Sequence, residues 1–193
     1  MRRQETCRNG CRRGAMTYFL GLGSNLGDTK RNLALARRRL ERAGVEVVRA
    51  SSVFRTEPVD EPRQPWFRNQ VLKVRTGLGP QELLDLAKSI EAGMKRAATV
   101  PKGPRTIDID ILLAGETVIA TPALTIPHPR LALRNFVLVP LRQIAPRTLH
   151  PVLRKTVREL ARSCPDRSAV LPDDGRPFRR PAGTPAAERR RSY

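Results

Sequence analysis

The ordered part of the hydrophobic pattern begins with a short apolar run at residues 17–22, which reads as a strand. The spacing then turns helical, with Leu33, Leu35, Ala36 and Leu40 on one side of residues 29–43. Strand patterns follow at 45–54 and 69–76, joined by a proline-rich link at 57–65. A second helix is expected over 80–94, because proline sits in its first turn and Glu82 and Asp85 lie near its positive end. A β-branched run through Ile107, Ile109 and Ile111 reads as a strand ending near Leu113, with a short strand around 117–119 after it. Helical turns are expected after Pro129, after Phe136 and over 153–162. The order strand, helix, strand, strand, helix, strand across 17–113 predicts an α+β fold, a ferredoxin-like βαββαβ sandwich with extra C-terminal helices. No internal repeat is visible.

Both ends break the pattern. Residues 1–15 lack apolar periodicity and read as a disordered basic extension, and residues 172–193, rich in Pro, Gly and Arg, read as a disordered tail. One domain over 16–171 is expected between them, since 193 residues suffice for one proper core and are few for two. Met16, directly before the first strand, is a second candidate start of translation.

The formal net charge is +19, of which the first fifteen residues carry +4 and residues 172–193 carry +3, leaving +12 on the rest. Such a chain concentrates a small polyanion as readily as a nucleic acid. Aromatic residues make up only 4% of the sequence, and no strand alternates basic and aromatic positions, which weighs against a nucleic-acid partner. No apolar run reaches membrane-spanning length, and the basic start lacks the apolar stretch of a secretory signal, so a cytoplasmic protein with no membrane partner is expected. Cys7, Cys11 and Cys164 fit that compartment as free thiols, because the C-x-x-x-C pair has no second pair downstream to complete a zinc site.

Chemistry concentrates in Gly103-Pro-Arg-Thr-Ile-Asp-Ile-Asp-Ile-Leu-Leu113. Strand side chains alternate faces, so Asp108 and Asp110 point one way while Ile107, Ile109 and Ile111 point into the core. Two aligned carboxylates repel unless a cation sits between them, and oxygen ligands with Arg105 close by suit magnesium-bound phosphate. A bare D-x-D in a strand is more often a solvated face; its neighbours raise the functional reading here. The second cluster, Tyr18-Phe-Leu-Gly-Leu-Gly-Ser-Asn-Leu-Gly-Asp28, spaces its glycines one residue too long for the dinucleotide fingerprint, and no P-loop occurs. Alone it reads as a strand-to-helix turn in which glycine relieves backbone strain and Ser24, Asn25 or Asp28 caps the helix.

Two further segments complete a pattern: Phe54-Arg-Thr-Glu-Pro-Val59 with Gln64-Pro-Trp-Phe-Arg-Asn-Gln-Val71, and Leu124-Thr-Ile-Pro-His-Pro-Arg-Leu-Ala-Leu-Arg-Asn-Phe136. In this order and spacing the chain resembles the 6-hydroxymethyl-7,8-dihydropterin pyrophosphokinase family over roughly residues 16–151. The most specific parts are G-P-R-T-x-D-x-D-x and P-H-x-x-x-x-x-R-x-F. The resemblance implies the same ferredoxin-like fold and transfer of diphosphate from ATP to the hydroxymethyl group of the pterin, giving AMP and the pterin diphosphate in tetrahydrofolate biosynthesis. It implies that Asp108 and Asp110 hold two Mg²⁺ ions, that Arg96 and Arg105 act with them, and that Glu91, Lys102, Ile111, His128 and Arg134 contact the nucleotide. On the pterin side it implies that Phe67 and Phe136 sandwich the ring while Thr56, Glu57, Val59 and Asn69 read its polar edge, where an amide offers donor and acceptor together.

The chain departs from the family between residues 94 and 102. The usual G-R-x-R loses its second arginine, and Lys102 stands where a tryptophan often precedes G-P-R; Pro129 likewise replaces a frequent tyrosine. Residues 95–102 are expected to form a lid that closes on ATP and pterin mainly through charge. Two other readings stand beside the enzyme: a small basic RNA-binding module of the same fold, which would bind with steep salt dependence and consume no ATP, and an inactive or regulatory relative, which the altered lid permits. A monomer is expected, with neighbouring folate-pathway enzymes as candidate partners.

Overall fold

The computed structural model of the protein describes residues 14–59, 64–94 and 103–174. The basic extension, the expected lid with Arg96 and Lys102, and the tail from residue 175 onward lie outside the described residues.

Strand β1 (Met16–Ser24) lies between β4 (Phe67–Thr76) and β5 (Asp108–Ala114), antiparallel to both. The chain leaves β1 through Gly27, whose φ of 68° suits a residue without Cβ, and Asp28 accepts the Arg31 amide to start helix α1 (Thr29–Arg42). Helix α2 (Pro80–Gly93) begins with proline, and Glu82 accepts the Gly79 amide. Leu33, Leu40, Leu83 and Ile90 from these helices meet Leu20, Leu22, Leu72, Ile109 and Ile111 from the strands in one core. Each such buried side chain contributes roughly 1.5–3 kcal/mol.

The expected second strand is split in two, β2 (Glu46–Ala50) and β3 (Phe54–Thr56), both paired with β4. Ser51 causes the break, because its amide bonds the Val71 carbonyl while its hydroxyl accepts the Val71 amide, replacing ordinary ladder contacts. The opposite face of the sheet carries a second core, where Phe19, Val71, Leu112 and Leu113 pack on helices α3 (Asn135–Ile144) and α4 (Val157–Ser163). Leu112 and Leu113 share a face because the β1–β5 register shifts beside them, a bulge that adds a residue to β5. Between β5 and α3 lie the short paired strands β6 (Ile119–Ala120) and β7 (Thr125–Ile126), then a 3-10 turn at Leu131–Leu133.

The main sheet therefore runs β5-β1-β4-β3, with a further strand, β8 (Val170–Pro172), beyond β3. This is the ferredoxin-like order with helices added. Strand β8 corrects the boundary expected at residue 171, which cuts through it. No helix among the described residues is long and apolar enough to cross a membrane.

Candidate active site

On the face of the sheet away from α1 and α2, α3 covers only one part, and the rest is a cavity. Its floor is β1. Gly21 stands opposite Asp110 and Val71, and Gly23 stands opposite Asp108 and Asn69. These two glycines lie inside the strand, so the turn role expected of them belongs to Gly27 alone. Their missing side chains are what leave the cavity open: a Cβ on Gly23 would sit 2.8 Å from Asn69 Oδ1, and one on Gly21 would touch Leu112 at 3.4 Å.

Along one side of this floor stand Asp108 and Asp110, aligned as strand alternation requires, while Ile109 and Ile111 are buried beneath. Arg105 Nη1 donates to Asp108 Oδ2 at 2.6 Å, neutralising one acid of the pair. Arg105 is itself fixed by Asn25, whose place in the sequence predicts only a cap: Asn25 Oδ1 accepts the Arg105 amide at 2.7 Å, and the Asn25 amide donates to the Arg105 carbonyl at 3.1 Å. The Asn25 side-chain amide also donates to Gln64 Oε1 at 3.0 Å, so one buried residue joins three loops around the cavity.

On the other side are Thr56, Glu57, Val59, Phe67 and Asn69. Asn69 is buried and its amide donates to Thr56 Oγ1 at 2.6 Å, which fixes the orientation of both. The third wall is the start of α3, where Arg134 and Phe136 line the cavity and the Arg134 guanidinium lies 5.3 Å from the centre of the Phe136 ring.

His128 is brought to the end of β5 by its amide, which donates to the Leu112 carbonyl at 2.9 Å. Burial, then the charges of Arg134 and Arg130, push its pKa down to about 4 against the opposing pull of Asp108. The imidazole is therefore neutral at pH 7. Since Nδ1 accepts the Arg130 amide at 3.2 Å, the proton sits on Nε2, where it can be donated.

Among the described residues, three expected nucleotide contacts do not line the cavity: His128, Ile111 and Glu91. Ile111 points into the α1/α2 core. Glu91 is likewise buried, and its carboxylate accepts the Ile109 amide at 2.7 Å, tying α2 to β5 from behind. For Ile111 this follows from alternation along β5, where Ile109 and Ile111 face α1 and α2 and Asp108 and Asp110 face the cavity.

The cavity thus joins a charged end, with two acids and two arginines, to a slot with two aromatic rings and a fixed amide. The protein-family model described as 7,8-dihydro-6-hydroxymethylpterin-pyrophosphokinase matches residues 19–146. The chain is 42% identical over 143 residues to the 2-amino-4-hydroxy-6-hydroxymethyldihydropteridine pyrophosphokinase of Aquifex aeolicus, covering 74% of this chain and 89% of that protein. It is 39% identical over 134 residues to the folic acid synthesis protein fol1 of Pneumocystis carinii, of which it spans 18%. The crystal structure of wild-type Plasmodium falciparum HPPK-DHPS with pteroate superposes with a TM-score of 0.61 at 17% identity, over 77% of this chain and 42% of that one.

Proposed function

The chain belongs to the 7,8-dihydro-6-hydroxymethylpterin-pyrophosphokinase family, enzymes that transfer diphosphate to hydroxymethyldihydropterin in folate biosynthesis, and we propose that it does so with ATP as donor and Mg²⁺ at Asp108 and Asp110. One observation carries the residue-level reading: the glycine floor, the acids, the cations and the aromatic slot, from five separate segments of the chain, line a single cavity.

The reaction forms a bond from the pterin hydroxymethyl oxygen to the β-phosphorus of ATP and breaks the bond from that phosphorus to the oxygen bridging to the α-phosphate, so AMP leaves and the hydroxyl proton is lost to solvent. Positioning and charge neutralisation are most of what a protein supplies to such a displacement. Phe67 and Phe136 hold the flat ring, and the Asn69 and Thr56 pair meets its polar edge. Arg105 and Arg134 face the phosphates, with His128 Nε2–H as a neutral donor.

Among the described residues no group of three or more His, Cys, Asp or Glu forms a metal cage. Magnesium does not need one, since it commonly takes one or two carboxylates and completes its shell with phosphate oxygens and water. Two parallel carboxylates beside the floor fit that habit. When bound, the metal supplies charge neutralisation on the phosphate oxygens and a lower pKa for the attacking hydroxyl. The test is release of AMP from ATP by the full chain, expected only when both the hydroxymethyl dihydropterin and magnesium are present; AMP release without the pterin, or none with it, would overturn the reading.

A further inference from the structure

Residues 166–173 cross the outside of the molecule and touch both walls of the aromatic slot. At one end Asp166 Oδ2 accepts the Asn135 amide at 2.8 Å, and the Asp166 carbonyl accepts the Asn135 side-chain amide at 2.7 Å. Asn135 is the first residue of α3, between Arg134 and Phe136, so this contact sets where that wall begins. At the other end β8 pairs with β3, which otherwise would be a three-residue strand on an open edge, and the Glu57 amide donates to the Ala169 carbonyl at 3.0 Å. Thr56, Glu57 and Val59 are the opposite wall.

Asp173 locks this end. Arg55 and Arg68 are register partners on β3 and β4, two like charges side by side on the face behind the slot, an arrangement that splays strands unless an anion sits between them. Asp173 is that anion: its carboxylate accepts Arg55 Nε at 2.8 Å and Arg68 Nε at 2.7 Å, lies 3.3 Å from Lys30 Nζ, and has no exposed side-chain surface. The next residues along β3 and β4 on the far face are Thr56 and Phe67, themselves register partners in the slot. The family match ends at residue 146, so the whole strap lies outside it.

We infer that the strap of residues 166–173 is a positioning element that fixes the spacing of the two pterin walls, with Asp166 holding the α3 wall and Asp173 the β3 wall. It rests on the pterin reading above. The β3 end carries none of the residues assigned to the nucleotide, so losing Asp173 should fall on the pterin, whereas the α3 end also carries Arg134, so losing Asp166 should weaken both substrates.

In the full chain, Asp173→Asn keeps the shape and removes the charge, and Asp166→Ala frees the other wall; Glu46→Gln, which breaks an exposed ion pair with Arg75 on the same sheet, is the control. The expected result is a pterin KM raised by at least about tenfold in both strap variants, with the KM for ATP within about twofold of wild type in Asp173→Asn and the control unchanged. An unaltered pterin KM in either strap variant, or equal losses for both substrates in Asp173→Asn, would overturn the inference. Wild-type turnover is measured alongside. Its absence would sink the pyrophosphokinase reading instead, and amide exchange at Glu57 then decides the strap: faster exchange in Asp173→Asn supports it, unchanged exchange overturns it.

Discussion

Asp108 and Asp110 carry the charge side of the site, and their removal should be read in the barrier rather than in the fold. Either alanine variant is expected to lose turnover by several orders of magnitude, on the order of several kcal/mol. The Arg105–Asp108 pair is about a quarter exposed, so its loss changes stability by roughly 1 kcal/mol at most. AMP release and a thermal melt on the same sample check both halves. Gly23→Ala acts on the other half of the site: the new Cβ meets an Asn69 oxygen that cannot retreat while Thr56 holds its amide. Pterin affinity should fall at least about tenfold with ATP binding kept, as separate titrations would show. His128 gives a third expectation, that its ring titrates near pH 4 by NMR in protein free of metal and nucleotide. At this scale the D-x-D was legible because alternation alone aims the acids. The floor glycines were not, because glycine in a sequence reads as punctuation, and only the register placing Gly23 against Asn69 shows that an absent side chain leaves the cavity open.

Among the elements, β8 is the one whose energetics can be read with pH. Burial alone would raise the Asp173 pKa, but hydrogen bonds from Arg68, Arg55 and Lys30 outweigh it and hold the carboxyl below its ordinary value. A carboxylate with a depressed folded-state pKa stabilises above its unfolded value of about 4 and loses that contribution as the pH falls through the folded one. Melting temperatures should therefore drop below about pH 4 in the wild type, and less steeply in Asp173→Asn. Equal slopes would remove Asp173 as the anchor. Helices α1 and α2 were legible from apolar spacing and from proline at the start of α2. The split of β2 from β3 was not, because it depends on a serine hydroxyl entering the ladder. Strand β8 was also hidden: three residues leading into a Pro- and Arg-rich sequence read as an end, and what makes them a strand is a partner more than a hundred positions earlier.

The whole molecule carries a formal charge of +19 on 193 residues, and of the two proposed substrates one is polyanionic and the other neutral. Raising salt from about 50 to about 500 mM should increase the KM for ATP several-fold and leave that for the pterin nearly constant. Parallel salt curves would refute a steering role for the surplus charge. The fold at this scale followed from element order, whereas the covering of one face by α3 and α4 came from packing that no local pattern announces. Strand β5 carries a last consequence. It lies at the edge of the sheet, where unpaired amides and carbonyls are a template for another chain. Here the buried Glu91 carboxylate occupies the outward Ile109 amide, and the His128 amide takes the Leu112 carbonyl. The same two contacts that brace the site thus deny the edge to a neighbour, so Glu91→Leu should bring self-association on concentration, visible as growing light scattering, before it brings any loss of helix.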